Sequence, residues 1–234
     1  MMPAQNFAHR GPNLGALAVV FTVLKIASIF PVSVFGMAVG VPPPFFPGPN
    51  ETSATIVSYF ATHQFPVLFC AFLQFGSAIP LGIFTVTIVS RLHFLGVRAA
   101  GAWIALFGGL MVAFDSAASA VVLPAMVQPG IAQDSPLTQA LYAVQSGFGG
   151  PGFAVPMGLL MAGVSVTSGF AKLLPKWVVI LGMLLAVIGE LTWFTFISFG
   201  KGIGALVPIT RFPAFIWLIA AGFLLPKTVS RATA

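Results

Sequence analysis

Long apolar runs recur along the whole chain, and they constrain its fold more than any other feature. Windows of 18 or more predominantly apolar residues match the length of a helix that crosses the hydrocarbon core of a bilayer. Charged residues make up only 6% of the chain, whereas roughly a quarter of a soluble domain is charged. The period-2 alternation of an outer-membrane barrel strand is missing. The sequence therefore predicts an all-α fold, a polytopic transmembrane helical bundle.

Six spans are predicted, and together they form a single transmembrane domain over residues 1–234. They cover approximately residues 14–40, 65–90, 99–128, 137–170, 177–199 and 206–225. The first run exceeds the roughly 7–15 apolar residues of a secretory signal, and Lys25 interrupts it. We therefore interpret it as a retained first span.

The longest connection between spans, 41–64, is expected on the outer side of the membrane. It opens with a proline-rich stretch that cannot be helical. Ile56, Tyr59 and Phe60 then follow the i, i+3, i+4 spacing of a short amphipathic helix on the membrane surface. Asn50-Glu51-Thr52 matches a glycosylation acceptor, but a helix-capping role for Asn50 or Thr52 is favoured.

The distribution of Lys and Arg predicts how the spans are oriented. Seven basic residues are assigned to the inner side, against Lys201 and Arg211 on or near the outer side. The seven are Arg10, Arg91, Arg98, Lys172, Lys176, Lys227 and Arg231. By the positive-inside rule, both termini are cytoplasmic, and the predicted location is the cell inner (plasma) membrane.

Four ionisable side chains interrupt the apolar runs: Lys25, Asp115, Glu190 and Arg211. A charge at bilayer depth costs about 2.5–3.5 kcal/mol on insertion scales. Each of these residues therefore needs an ionic or hydrogen-bonding partner, a water-filled cavity or a functional role. At 1.5 Å of rise per residue, Glu190 and Arg211 reach similar depths in neighbouring spans, which predicts an ion pair between them. We expect the four groups to meet inside the bundle.

Two glutamines and a small-residue face point to the same interior. Gln74 and Gln145 are predicted to lie at similar depths in spans 2 and 4. On span 3, 3–4 spacing places a largely small-residue series on one face: Gly101, Ala105, Gly108, Val112, Asp115 and Ser119. Small residues allow close helix approach, so this face is predicted to contact protein and not lipid.

The middle of span 4 carries residues that weaken or break helices. They are Gly147, Gly149, Gly150, Gly152, Pro151 and Pro156. Interrupted helices line binding sites in transporters, but a kink that only allows close packing explains the same residues. Both interpretations stay open at this point.

Several other chemistries are not supported by the sequence. Basic residues are scattered singly, so no nucleic-acid surface is predicted despite the net charge of +6. His63 and His93 are predicted at opposite membrane faces, which excludes a His-based haem or metal site between them. Cys70, the sole cysteine, is expected to be a buried inert thiol. No cofactor and no metal are predicted.

One short segment resembles a known group of proteins. Residues Leu174-Pro175-Lys176-Trp177, followed by Leu181-Gly182, are similar to a turn found in a family of bacterial six-span membrane proteins known only as a domain of unknown function. The stretch from Pro80 to Arg98 is similar in style. The resemblance implies a six-helix inner-membrane protein without an assigned activity, and it transfers no functional residues.

Three functions are compatible with these features. The leading hypothesis is a small permease-like or ligand-binding protein, whose site is lined by Lys25, Asp115, Glu190, Arg211, Gln74 and Gln145 near the broken centre of span 4. Its expected partners are the lipid bilayer and a small polar or amphiphilic ligand. The alternatives are a structural or assembly subunit within a homo- or hetero-oligomer, and a membrane enzyme that uses Glu190 and Asp115 as acid and base on lipid or isoprenoid substrates. The four charges could also neutralise one another without any further task.

Overall fold

Nine α-helices and one pair of short strands are formed by the residues that the computed structural model describes, which are 4–41, 43–48, 51–198 and 203–232. The helices are α1 (Leu14–Ile29), α2 (Ser53–Thr62), α3 (Gln64–Phe94), α4 (Ala100–Met126), α5 (Ser135–Gly149), α6 (Pro151–Phe170), α7 (Lys176–Leu191), α8 (Thr195–Ser198) and α9 (Leu206–Leu224). The strands are β1 (Ala4–Ala8) and β2 (Thr228–Ala232). Short 3-10 turns cover Phe30–Val32, Val34–Val39, Thr192–Phe194 and Ile203–Ala205.

Six apolar segments are long enough to cross a membrane, and this confirms the predicted six-span helical bundle. They are Leu14–Val32, Gln64–Phe94, Ala100–Met126, Ser135–Phe170, Lys176–Ile197 and Leu206–Leu224. The protein is therefore an integral, multi-pass membrane protein.

The spans pack as a closed ring. Going round it, α1 packs on α3, α3 on α4, α4 on α6, α6 on α7, α7 on α9, and α9 returns to α1. The interior holds large apolar side chains such as Phe21, Phe84, Phe153 and Trp217, all of which are buried. First and last spans are thus neighbours, although nearly the whole chain separates them.

Small residues allow a close backbone contact in this ring, between α4 and α6. A Cβ atom on Gly108 would lie 2.6 Å from the Pro156 carbonyl oxygen, and a Cβ on Gly163 would collide with the Gly101 carbonyl. Ala105, Val112 and Asp115 on α4 are buried. The predicted protein-facing stripe of span 3 is confirmed.

The first span differs in part from its prediction as a helix over 14–40. The α-helix ends at Ile29, and two 3-10 turns continue the chain to Val39. Pro31 supplies no backbone N–H for an α-helical bond, and Gly40 ends the turns with φ of 82°, a left-handed conformation that glycine adopts readily.

The amphipathic helix predicted in the outer connection is present as α2. Thr52 caps it by accepting a hydrogen bond from the Thr55 N–H, as predicted; Asn50 lies outside the described residues. Its apolar face, however, does not lie on the membrane. Tyr59 and Phe60 are buried against Phe46 and against residues of α3 and α4 at this end of the bundle, so α2 covers the bundle itself.

The two chain ends meet at the opposite end of the bundle. Strand β1 pairs antiparallel with β2, from Ala4 opposite Ala232 to Ala8 opposite Thr228. His9 extends this contact, since its backbone N–H donates to the Lys227 carbonyl and its ring lies against Phe94. Both ends of the described chain therefore lie on the same side, as an even number of spans requires.

Candidate functional site

Lys25 projects from α1 into the centre of the bundle. The residue is only 2% exposed, and its Nζ donates a 2.8 Å hydrogen bond to the Ser116 hydroxyl on α4. The same ammonium lies 5.4 Å from the ring centroid of Phe153, in cation–π geometry. A hydroxyl and a ring face therefore hold this cation.

Arg211 reaches the same ring from α9. Its guanidinium carbon lies 4.8 Å from the Phe153 centroid, and its NH2 group donates to the carbonyl of Gly149. Its Nε is buried without a hydrogen-bond partner. Cations of the first and last spans are thus neighbours at one aromatic ring.

The interruption of span 4 lies at Gly150, between α5 and α6. The Gly150 N–H still donates to the Ser146 carbonyl, and α6 begins with Pro151, which has no N–H to satisfy. The Gly149 carbonyl accepts from Arg211 instead of from a helical amide. The cation thereby satisfies a backbone group that the break would otherwise leave unpaired at membrane depth.

One helix-breaking prediction needs correction. Pro156 does not break the helix, because α6 continues through it from Pro151 to Phe170. Gly149 is the last residue of α5 and lies directly before the interruption. The break is therefore confined to Gly150, between α5 and α6.

The two predicted glutamines meet on the wall of this centre. The side-chain amides of Gln74 and Gln145 both donate to the Ser119 hydroxyl, at 3.2 and 3.1 Å. That hydroxyl in turn donates to the backbone carbonyl of Gln145. Spans 2, 3 and 4 are therefore joined by a small polar cluster.

These groups surround a cavity of about 510 Å³. Its polar lining includes Lys25, Arg211, Gln74, Gln145 and Ser146, and Gly149, Gly150 and Pro151 contribute the helix break. Its apolar lining includes Phe46, Pro47, Phe196, Val207 and Pro208. The volume falls within the range of small-molecule sites.

Neither acid of the spans is among the described residues that line this cavity. Asp115 is buried beside the first turn of α6, where a Cβ on Gly152 would be 3.4 Å from its Oδ2. The N-terminal end of a helix favours such a negative charge. Asp115 therefore lies next to the break, on α4, without joining the two cations.

The predicted ion pair between Glu190 and Arg211 is wrong. Glu190 faces Gly158 of α6, where a Cβ would be 3.5 Å from its Oε1, and that oxygen is buried without a hydrogen-bond partner. Arg211 contacts Gly149 and Phe153 instead. Although α7 and α9 pack together, the two side chains point at different neighbours.

Two residues of the site were not predicted from the sequence. Phe153, which both cations contact, follows the break by three residues, and Ser116 follows Asp115 directly. The i+3 spacing of Ser116 and Ser119 on span 3 was an available signal for a polar strip. No pattern in the chain distinguishes Phe153 from its many other phenylalanines.

A larger groove of about 1160 Å³ lies elsewhere, at the C-terminal end of α1 and the start of α3. Its walls include the exposed side chains of Val23, Ile26, Phe65 and Phe69. Such residues face the hydrocarbon of the bilayer in a spanning protein. The smaller central cavity brings together two of the four predicted charges, Lys25 and Arg211, and we take it as the candidate site.

Comparison of the chain with protein-family models, with curated proteins and with solved structures finds no match.

Proposed function

We propose that this protein binds a small polar or amphiphilic ligand in the central cavity, as a permease-like membrane protein. The observation that supports this function is that Lys25 and Arg211 reach the same cavity at the point where span 4 is interrupted. Helix ends and freed backbone groups at such interruptions face the substrate in several transporter folds.

A purely structural task for the charges is less well supported. Charges that only neutralise one another would be paired, because removing one partner leaves a costly buried charge. Lys25 instead contacts a hydroxyl and Arg211 a backbone carbonyl, while Asp115 and Glu190 lie on other faces. The two cations retain hydrogen-bonding capacity for a ligand.

The proposed orientation has the chain ends in the cytoplasm of a cell whose plasma membrane the protein spans. The topology places the ends of the chain and the α3–α4 and α6–α7 connections on one side. These segments carry five of the seven basic residues assigned inside, and Arg91 and Lys176 lie in the adjoining turns of α3 and α7. The positive-inside rule favours this distribution for a cytoplasmic side.

Cysteine labelling tests whether the cavity is accessible to water and whether it binds a ligand. Cys70 is the only cysteine, so Cys70→Ala gives a background without thiols. In the full-length protein purified in mild detergent, Val207→Cys at the cavity wall is expected to react with N-ethylmaleimide at least about tenfold faster than Val112→Cys in the packed core. Equal, slow reaction of both cysteines would contradict a water-filled cavity.

Ligand binding is then read as protection of the same cysteine. Four probes with a six-carbon chain are compared: hexanoate, hexanamide, hexylammonium and 6-aminohexanoate. At least one is expected to slow labelling of Val207→Cys without slowing that of Ala99→Cys, which is exposed in a connection outside the cavity. Protection by none of the four would count against the proposed function.

A further inference from the structure

The charged residues that line the central cavity, among those described, are all positive. Lys25 and Arg211 both line it, and the described lining residues include no carboxylate. A positive ligand would add a third cation to a low-dielectric site, whereas a negative one would neutralise charge that the protein leaves uncompensated. The sign of the ligand charge follows from this balance.

The donors of the site match an anionic group as well. The Lys25 ammonium has three hydrogens and makes one hydrogen bond, to Ser116. Arg211 lines the cavity, and its guanidinium carries more N–H donors than the one that it gives to the Gly149 carbonyl. Together they form a built site in which one cation is nearly fully buried.

The size and the remaining lining point to an organic anion. The cavity of about 510 Å³ is many times the roughly 30 Å³ of one water molecule, so a halide would leave most of it unfilled. Phe46, Phe196 and Val207 supply apolar surface on the same walls. An occupant with an apolar body would cover that surface.

We infer that the ligand of this cavity is an organic anion, with a carboxylate or phosphate head held between Lys25 and Arg211 and an apolar body against the aromatic wall. This inference rests on the proposed function and specifies its ligand class. The head can belong to a water-soluble molecule or to an anionic membrane lipid, because both present the same chemistry to the two cations.

The charge of the head is tested with three probes that share one chain. In the Val207→Cys reporter, hexanoate is expected to slow labelling at a concentration at least about tenfold lower than hexanamide does, since charge-assisted hydrogen bonds are roughly twice as strong as neutral ones. Hexylammonium is expected to give no protection. Protection by hexanamide or hexylammonium at the same or a lower concentration would overturn the inference while leaving the proposed function intact.

A matched pair of charge removals assigns the effect to the site. Lys25→Met in the reporter background is expected to abolish the preference for hexanoate over hexanamide. Arg98→Met removes one positive charge from an exposed position outside the cavity and should keep the preference. If Lys25→Met does not fold, the three-probe series decides by itself because it needs no change at the site. A preference that survives in folded Lys25→Met would contradict the assignment.

Two bilayers distinguish the sources of the anion. The reporter is placed in nanodiscs of phosphatidylcholine alone or of phosphatidylcholine with phosphatidylglycerol. Protection by hexanoate in the first supports a water-soluble ligand, and protection by phosphatidylglycerol without added hexanoate supports a lipid headgroup. If neither anion protects while hexanamide does, the ligand is not an anion and the inference is wrong.

Discussion

Phe153 brings the ammonium of Lys25 and the guanidinium of Arg211 together at the centre of the bundle. A ring face stabilises each desolvated cation by roughly 2 kcal/mol, which offsets part of the cost of placing it at membrane depth. The remaining contacts are a serine hydroxyl and a glycine carbonyl. At this scale the site is a pair of cations held by neutral groups.

Glu190 provides a residue-scale prediction, because its Oε1 is buried without a hydrogen bond. Glu190→Gln is expected to leave the free energy of unfolding unchanged or to raise it by about 1 kcal/mol, since no hydrogen bond of Oε1 is lost and a half-buried charge is removed. Reversible unfolding in mixed detergent micelles measures this.

Asp134→Ala is the matched control for Glu190→Gln. The Asp134 carboxylate caps α5 by accepting from the Leu137 N–H at 3.1 Å, and its loss should cost about 1 kcal/mol. A loss of about 3–5 kcal/mol in Glu190→Gln would show instead that Glu190 has a buried ionic partner.

Close contact between α4 and α6 holds the element that carries the helix break. Gly101 and Gly108 face Gly163 and Pro156 across this contact, and added Cβ atoms there would meet backbone. Helices in a bilayer associate largely by such packing, since lipid tails are as apolar as the side chains. The position of the α6 N-terminus at the cavity depends on it.

Gly163→Ala tests that contact. The added methyl group would strike the α4 backbone, so we expect a loss of about 1–3 kcal/mol in the free energy of unfolding. Gly76→Ala is the control, because Gly76 lies inside α3 with open space where the methyl group of alanine would be placed. Alanine there should be neutral or stabilising by up to about 1 kcal/mol. Equal effects of both substitutions would contradict the close approach of α4 and α6.

The N-terminal segment makes a pH-dependent contact with α3. His9 Nε2 lies 3.0 Å from the Ser90 hydroxyl oxygen, and burial, with the positive charge of Arg91, lowers the pKa of His9 below its usual 6.5. A free segment therefore takes up a proton at higher pH than the docked one. Docking is complete above about pH 6.5 and weakens as the pH falls through the lower pKa of the docked state.

Hydrogen exchange in strand β1 measures this docking. After correction for intrinsic rates, protection of its amides is expected to fall between pH 7.5 and pH 5.5 in the wild type. His9→Gln places an amide where the His9 Nε2 lies, so it can still bond to Ser90 but does not titrate. Its protection should therefore change little over the same interval. Protection that rises on acidification of the wild type would contradict the assigned direction.

The element scale also shows what sequence reasoning can reach. Apolar length predicts all six spans, and clustered Gly and Pro predict the interruption of span 4 near Gly150. Helical periodicity gives the face on which Glu190 lies but not the helix that the face meets. The predicted pair of Glu190 and Arg211 rested only on their similar depth in the membrane. In the structure, the small Gly158 on α6 leaves room for the Glu190 side chain to point toward α6 instead.

Closure of the ring explains the site at the scale of the whole molecule. Because α9 packs on α1, residues 25 and 211 become neighbours, and Phe153 of α6 contacts both of them. Local patterns carry no information on the order of helices around such a ring. The convergence of the two cations could therefore be expected only as a consequence of the cost of isolated charges.

An experimental structure of the full chain with 6-bromohexanoate tests the central claim most directly, because bromine is located by its anomalous scattering. The account predicts that the carboxylate contacts both Lys25 and Arg211 and that the bromine lies against the apolar wall formed by Phe46 and Phe196. A structure in which the two cations face separate surroundings, or in which the probe occupies only the larger groove at the C-terminal end of α1, would contradict it.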